Sequence, residues 1–179
     1  HAKAIAAGND KAAVCSDCHG THEILPSNDP GSPIARTHIH ETCGKCHEKE
    51  MAEFNRSIHG RALEAGIKDA PTCIDCHGEH DIGPPKASES AMAAQTISRL
   101  TCPKCHEDET VMTKYGITMH RQASYMDSYH GMYSVAGGKV VASCASCHGA
   151  HEILPQDDPA SSINPANVVK TCAQCHENA

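Results

Sequence analysis

Apolar residues along this chain stand singly or in short groups, and no long helical or alternating pattern runs through it. The segments expected to be helical are short: they surround the paired cysteines, residues 51–64 and residues 166–170. Proline and glycine clusters at 26–33, 83–85 and 155–165 predict extended loops. Residues 139–142, with two adjacent valines, are the one candidate for a short strand. The pattern predicts a mostly irregular chain with short α-helices and little or no β-sheet.

The composition provides too few aromatic side chains for an ordinary hydrophobic core. Of 179 residues one is Phe, four are Tyr and none is Trp, whereas twelve are Cys and fifteen are His. So few aromatic side chains cannot fill a core, and so many cysteines are not typical of disorder. No apolar run approaches the length of a membrane span, and the net charge of -7 argues against a nucleic-acid surface. We therefore expect a non-protein group to occupy the middle of the chain.

Every cysteine of the chain belongs to a C-x-x-C-H motif. The six motifs are formed by Cys15, Cys18 and His19; Cys43, Cys46 and His47; Cys73, Cys76 and His77; Cys102, Cys105 and His106; Cys144, Cys147 and His148; and Cys172, Cys175 and His176. Two thiols at this spacing can each form a thioether to one vinyl group of a single haem, and the adjacent His can bind the iron. A disulfide scaffold needs no His after each second Cys, structural zinc pairs such motifs at more variable distances, and a redox C-x-x-C usually occurs once. The motifs predict six c-type haems, each with a proximal His.

The motifs come in pairs, so the chain contains an internal repeat. Within a pair the first cysteines are separated by 28, 29 and 28 residues. First motifs continue as G-x-H-[ED]-I, and second motifs are entered by Thr and followed by Glu. We expect three dihaem copies in series: copy one at 1–50, copy two with a linker at 51–121, and copy three at 122–179. Together they should form one continuous unit packed around haems.

The repeat also offers six candidate distal ligands, one for each iron. Three lie three residues after a proximal His: His22, His80 and His151. Three lie fourteen residues before the first cysteine of a copy: His1, His59 and His130, the last two in S-x-H-G elements. A His one helical turn after the proximal His cannot easily reach the opposite face of its own haem, so it should bind a neighbouring one. His38, His40 and His120 do not recur between copies, and we expect them to be exposed or hydrogen-bonded, with replacement of a distal ligand as the alternative.

The six motifs, with the C-x-x-C-H-G-x-H and S-x-H-G elements, resemble those of bacterial and archaeal multihaem c-type cytochromes. The resemblance covers the whole chain. It implies an architecture built around a chain of stacked haems, electron transfer, and export across the cytoplasmic membrane to a periplasmic or extracellular location. It implies redox partner proteins or extracellular electron acceptors as partners, and it includes proteins that polymerise or join larger cytochrome complexes.

Two functions stay open beside that of a bis-His electron carrier. A multihaem reductase would need one haem with an open or exchangeable site, whereas all six motifs end in His and six distal candidates are present. A filament subunit would pass electrons across contacts between chains. This possibility is compatible with the carrier, and we expect electron transfer rather than catalysis.

Overall fold

The structure is a computed structural model, which describes residues 1–85, 87, 90–137 and 141–177. In these ranges the chain forms short helices joined by loops, with no β-strand, as the sequence predicts. Two residues of the expected strand, 139 and 140, lie outside the described ranges, and Val141 and Ala142 belong to no regular element. None of the described helices combines the length and the apolar character that a membrane crossing requires.

The chain divides into two compact units, His1–Gly83 and Pro84–Ala179. Unit 1 contains α1 (Ala2–Ala6), α2 (Cys15–His19), α3 (Ile39–Gly44), α4 (Glu48–Arg56), α5 (Ile58–Glu64) and α6 (Cys73–His77). Unit 2 contains α7 (Ala94–Thr96), which continues into a π-helix (Ile97–Thr101), then α8 (Pro103–His106), α9 (Glu109–Lys114), α10 (Arg121–Met126), α11 (Tyr129–Val135), α12 (Cys144–His148) and α13 (Val168–Cys172). The unit boundary falls inside copy two, so the units and the sequence repeat divide the chain differently. The three-copy organisation stays a prediction.

Each first motif of a pair forms one short helix with the same two ends. The side chain at the third position of each helix accepts a hydrogen bond from the backbone N–H of the residue that precedes the helix. The distances are 2.8 Å from Val14 to Asp17, 2.6 Å from Thr72 to Asp75 and 3.0 Å from Ser143 to Ser146. The residue after the proximal His is a glycine with positive φ, at Gly20, Gly78 and Gly149. Because other residues rarely adopt this conformation, the glycine ends the helix and turns the chain toward the next His.

The S-x-H-G elements form a tight corner between two helices. Ser57 donates to the Phe54 carbonyl over 2.6 Å and accepts from the Gly60 N–H over 3.0 Å, so it ends α4 and caps α5. Ser128 does the same with Tyr125 and Gly131 between α10 and α11. A Cβ on either glycine would fall on the preceding carbonyl oxygen. The corner therefore requires glycine, and it fixes the His before that glycine in the first turn of the second helix.

The polypeptide exposes more surface than a compact protein of its mass. The chain exposes 11948 Å², whereas a compact protein of 19.0 kDa exposes about 8,400 Å² and two independent units of half that mass about 10,000 Å². The buried apolar side chains among the described residues are Ala35, Ile39, Leu63, Ala70, Ala93, Ile97 and Met112. Three of these seven are Ala and none is aromatic, so the polypeptide's own side chains form only a small apolar core.

Candidate haem-binding sites

Three pairs of imidazole rings lie at nearly the same separation. The ring centroids are 6.2 Å apart for His1 and His47, 6.1 Å for His19 and His80, and 6.0 Å for His130 and His176. Each pair joins the His of one C-x-x-C-H motif to a His that the sequence singles out as a distal candidate. The rings of His19 and His80 are parallel within 1°, and those of the other two pairs are inclined by 41° and 51°.

This separation fits a metal held between the two rings. With a metal–nitrogen bond of about 2 Å and a ring centroid about 1.1 Å behind its nitrogen, two imidazoles on opposite sides of one iron have centroids about 6.2 Å apart. The two thiols of the same motif supply the residues for covalent attachment. The donor set and the spacing therefore fit a c-type haem.

The pairs follow a rule that depends on the class of the second His. His1 and His130 each lie fourteen residues before the first cysteine of a copy, and each meets the second-motif His of that same copy. His80 follows the first motif of copy two and meets the first-motif His of copy one. This arrangement has the geometry expected of a His that cannot reach across its own haem, while the ligand roles themselves stay predictions.

The cysteines place neighbouring motifs side by side within each unit. In unit 1 a hydrogen bond from Cys73 lowers the pKa of Cys43 to about 7 and raises that of Cys73. In unit 2 Cys144 accepts from Cys102 and from Ser98, and these bonds lower its pKa to about 6. In both units the first cysteine of a second motif thus contacts the first cysteine of the following first motif.

A second set of contacts joins the two motifs of one copy. Burial raises the pKa of Cys18, and the nearby Cys43 raises it further. Burial likewise raises the pKa of Cys147, with a further rise from the nearby Cys172. Motifs that are neighbours in sequence are therefore neighbours in space, in the order first, second, third in unit 1 and fourth, fifth, sixth in unit 2.

Two of the C-x-x-C-H histidines have a lowered pKa, which favours the neutral form of the imidazole. Burial lowers the pKa of His106, and the charge of Arg121 lowers it further. His148 keeps an exposed face, yet partial burial, His106 and Arg121 together lower its pKa as well. Neutral imidazole carries the lone pair that a metal ligand needs.

The remaining histidines differ in their surroundings. Nδ1 of His22 lies 3.1 Å from the Thr21 hydroxyl, and Nδ1 of His38 lies 3.0 Å from the Ser32 carbonyl oxygen. His40 packs on Phe54 with its Nδ1 buried and without a hydrogen-bond partner among the described residues. His120 is exposed and has a left-handed backbone with φ 65°. For His59, His77, His106 and His151 the ligand roles stay predictions.

Some positioning residues were not identified from the sequence. Asp17, Asp75 and Ser146 cap the helices of the first motifs, and the signal that could have found them is the acceptor side chain three residues after the N-cap. Arg36 bonds to the Ala70 carbonyl over 2.7 Å and to the Asp75 carboxylate over 3.0 Å, which ties the loop of copy one to the third motif. No sequence pattern indicates this tie, because the partners lie more than thirty residues away.

Two curated relatives resemble this chain, and both are named cytochrome c-type protein NrfB. The protein from Haemophilus influenzae is 24% identical over 162 residues, which cover 75% of this chain and 63% of the relative. The protein from Escherichia coli is 23% identical over 138 residues, which cover 76% of this chain and 64% of the relative. The chain thus spans somewhat less than two thirds of their lengths. No family model and no solved structure matches it. Together with the twelve cysteines, this similarity supports a multihaem c-type cytochrome.

Proposed function

We propose that the protein transfers electrons through six covalently attached c-type haems, most or all of them bound by two histidines. The observation that carries this proposal is the set of three His pairs with centroids 6.0, 6.1 and 6.2 Å apart, each containing the His of a C-x-x-C-H motif. A side chain placed by chance beside a motif would not reproduce an iron-ligand separation three times. The twelve cysteines, two for each motif, are the proposed attachment points.

In this proposal the protein's own residues hold, orient and insulate the redox groups. Haem iron, when bound, supplies a one-electron couple whose potential depends on its axial ligands and surroundings. The two imidazoles of each pair would hold the iron between them, so no substrate would need to reach the metal. Partial burial keeps His106 and His148 neutral and therefore able to bind.

The contacts between cysteines support a path that follows the sequence order of the motifs within each unit. Cys43 contacts Cys73, and Cys102 contacts Cys144, so the attachment points of successive motifs are adjacent. Cys18 and Cys147 lie close to the second motifs of their own copies. Groups attached at these positions would be close neighbours, which is the condition for electron hopping.

We further propose that the protein works after export, in the periplasm or outside the cell, where haem is attached to such motifs. Its partners would be redox proteins or extracellular electron acceptors, and the chain would act as a carrier or as a subunit of a homopolymer or larger cytochrome complex. The similarity to proteins named cytochrome c-type supports this assignment.

The first test is the mass of the denatured protein. Six haems attached by thioethers should add about 3.7 kDa, at about 616 Da each. Replacing Cys172 and Cys175 together by Ser should lower this increment by one haem and leave five. A mass equal to that of the bare polypeptide would rule out the proposal.

The second test is the spin state of the oxidised protein. Bis-His ligation should give low-spin ferric signals and reversible one-electron reduction, with no turnover of nitrite or hydroxylamine. A high-spin ferric haem accompanied by turnover of either substrate would favour a reductase instead.

A further inference from the structure

The extra residue of copy two lies in the π-helix that leads into the fourth motif. The first cysteines of a pair are 28 residues apart in copies one and three and 29 apart in copy two. The Thr before a second motif donates to a carbonyl nine residues earlier in copies one and three, whereas Thr101 donates to Ala91, ten residues earlier, over 2.6 Å. The N–H of Cys102 reaches back five residues to the Ile97 carbonyl over 3.0 Å. A π-helical bond spans one residue more than an α-helical bond, so this turn accommodates the extra residue.

The π-helix joins three segments of unit 2. Ser98 is 1% exposed, and its hydroxyl accepts from the N–H of Cys144, the first residue of the fifth motif, over 2.9 Å. The carbonyl of Arg99 accepts from the side chain of Gln122 in α10 over 2.8 Å. The same turn continues into α8, which carries the fourth motif. The fourth motif, the fifth motif and α10 therefore meet around this π-helix.

The start of α10 is held against the fourth motif. The backbone N–H of Gln122 donates over 2.7 Å to the carboxylate of Glu107, which directly follows His106. On the other side of Arg121, His120 has a left-handed backbone with φ 65° and ψ 29°. This conformation is uncommon for a residue other than glycine, and it turns the chain sharply into α10. The backbone on both sides of Arg121 therefore fixes this residue beside α8.

The guanidinium of Arg121 acts on the histidines of two neighbouring motifs. Burial is the largest cause of the lowered pKa of His106, and the charge of Arg121 lowers it further against a smaller opposing effect of Glu107. The same charge lowers the pKa of His148, after burial and the nearby His106. Arg121 is exposed, and its side chain forms no hydrogen bond or ion pair in the described part of the chain. One cation thus lies close to both candidate haem sites.

The equivalent helix of the preceding repeat has the opposite charge at this position. Both α4 and α10 end at an S-x-H-G corner, and Arg121 lies seven residues before Ser128, as Glu50 lies seven residues before Ser57. The first turn of α4 contains acidic residues, whereas the first turn of α10 contains none. The cation beside the fourth and fifth motifs is therefore a feature of this segment and not of the repeat.

We propose that Arg121 raises the reduction potentials of the haems attached at the fourth and fifth motifs. Reduction by a redox partner protein adds one electron to each site and lowers its charge by one, while no bond forms or breaks. The positive charge of Arg121 attracts the added electron and so favours the reduced state. Arginine keeps its charge at every working pH, so the effect needs no proton. The proposal rests on the proposed function, because it needs haems at these two motifs.

The two affected sites are also neighbours. Cys102 of the fourth motif contacts Cys144 of the fifth, so the attachment points are adjacent. One charge therefore stabilises an added electron on either of two sites between which it can hop. Electrons that enter unit 2 would reside on this pair more often than they would with a neutral residue at position 121.

The test is a potentiometric titration of the haem-loaded protein, followed by haem absorbance and resolved into six one-electron components. Arg121→Gln should shift two of the six components to lower potential, and Arg121→Lys, which keeps the charge, should leave them near the wild-type values. Lys68→Gln makes the same change in net charge at an exposed turn of unit 1 and should shift no pair of components selectively.

A variant of opposite sign tests the same field without changing Arg121. Glu107→Gln keeps an oxygen that can accept from Gln122 and removes the carboxylate charge beside His106. It should shift one component, that of the fourth haem, to higher potential. A shift to lower potential would contradict the inference.

Ionic strength distinguishes a charge effect from a structural one. Because Arg121 is exposed, salt should screen its charge, and the difference between wild type and Arg121→Gln should shrink as salt is added. Lost packing would give a difference that salt does not change and that lysine does not restore. Each variant should keep six low-spin haems, since no proposed iron ligand is altered.

Several outcomes overturn the inference. It fails if Arg121→Gln shifts no component, if it shifts all six alike, if Arg121→Lys behaves like Arg121→Gln, or if the difference persists at high salt. A high-spin haem in Arg121→Gln would also overturn it, because the shift would then follow from a lost ligand. The mass increment of the denatured chain is unaffected by these results, so failure of this inference is distinguishable from failure of the proposed function.

Discussion

Copies one and three fold with the same local hydrogen bonds although they lie in different units. In copy one the buried Ser32 hydroxyl donates to the Leu25 carbonyl, and in copy three Ser161 donates to Leu154. The Thr that enters the second motif donates to a carbonyl nine residues earlier in both, from Thr42 to Pro33 over 2.6 Å and from Thr171 to Ser162 over 2.7 Å. The local structure of each of these copies is therefore stabilised by hydrogen bonds between residues of that same copy.

The two copies differ in the side chains that face outward from this common frame. Arg36 of copy one reaches Asp75 and Ala70, whereas its counterpart in copy three is Pro165, which has no side-chain donor. Ile39 is buried in copy one, and its counterpart Val168 is 41% exposed. Hydrogen bonds inside a copy thus determine its local structure. The side chains that differ between the copies determine which other segments each copy contacts.

The largest expected effect comes from removing the His that precedes the first motif in each of these copies. His1 meets His47 and His130 meets His176 in equivalent pairs, so His1→Ala and His130→Ala should each convert one low-spin haem to a high-spin one. The double variant should convert two of six. Ferric spin quantitation before and after addition of imidazole is the measurement.

The matched control for this experiment is His120→Ala, which removes an exposed histidine outside the repeat. If one of the two single variants keeps six low-spin haems while the other loses one, copies one and three are not equivalent at their second motifs. If neither loses one, the pairs at 6.2 and 6.0 Å do not hold iron.

A smaller and equal effect is expected from the two threonines. Thr42→Val and Thr171→Val keep the side-chain shape but remove the donor, leaving a part-buried carbonyl oxygen unpaired at a cost of about 1–3 kcal/mol each. Denaturant unfolding of the haem-loaded protein gives the free energies. A difference of more than about 1 kcal/mol between the variants would show that the two copies do not share this bond equally, since distant sites normally act independently.

Much of this local structure could be predicted from the sequence, because it depends on residues close together in the chain. The C-x-x-C-H spacing and the flanking proline and glycine clusters indicated short helices in loops, and the described residues contain helices over the first motifs and over much of 51–64. Residues 166–170 were predicted to be helical, and α13 begins at Val168. The strand predicted at 139–142 rested on two adjacent valines alone. Of its residues the structure describes Val141 and Ala142, and neither belongs to a strand.

The sequence predicted which histidines are candidates for pairing, but not which histidine each of them meets. Counting spacings identified His1, His80 and His130 as distal candidates, and helix geometry argued against ligation by His80 of its own haem. Which C-x-x-C-H His each one meets depends on contacts between segments far apart in the chain, such as those of Arg36, whose partners lie 34 and 39 residues away. The sequence repeat likewise predicts three copies, whereas packing groups the chain into two units.

The contacts of Arg36, which copy three lacks, should contribute less to the free energy of unfolding than the threonine hydrogen bond that copies one and three share. Arg36→Met removes the ion pair with Asp75 and the bond to Ala70, and because the guanidinium is partly exposed we expect a loss of about 0.5–1 kcal/mol. Although burial opposes ionisation of Asp75, hydrogen bonds from Thr72 and Arg36 outweigh it and hold the pKa of that carboxyl below its usual value.

The pH dependence of this loss has a defined sign. A carboxyl whose folded pKa is lowered contributes its full stabilisation above the unfolded value of about 3.9 and loses it as pH falls through the folded value. The difference between wild type and Arg36→Met should therefore be constant near neutral pH and shrink in acid. Asp75→Asn is the partner variant in a double-mutant cycle, and a difference that grows in acid would contradict the ion pair.

The smallest effect is expected where the two copies use different residues for one bond. Nδ1 of His38 lies 3.0 Å from the Ser32 carbonyl oxygen, and Nδ2 of Asn167 donates to the equivalent Ser161 carbonyl over 2.9 Å. His38→Asn should therefore change the free energy of unfolding by less than about 0.5 kcal/mol, and it should leave every haem low-spin. His38→Ala, which removes the donor, should cost more than His38→Asn because the carbonyl then loses its partner. A high-spin haem in His38→Asn would instead make His38 an iron ligand peculiar to copy one, and the equivalence with Asn167 would be lost.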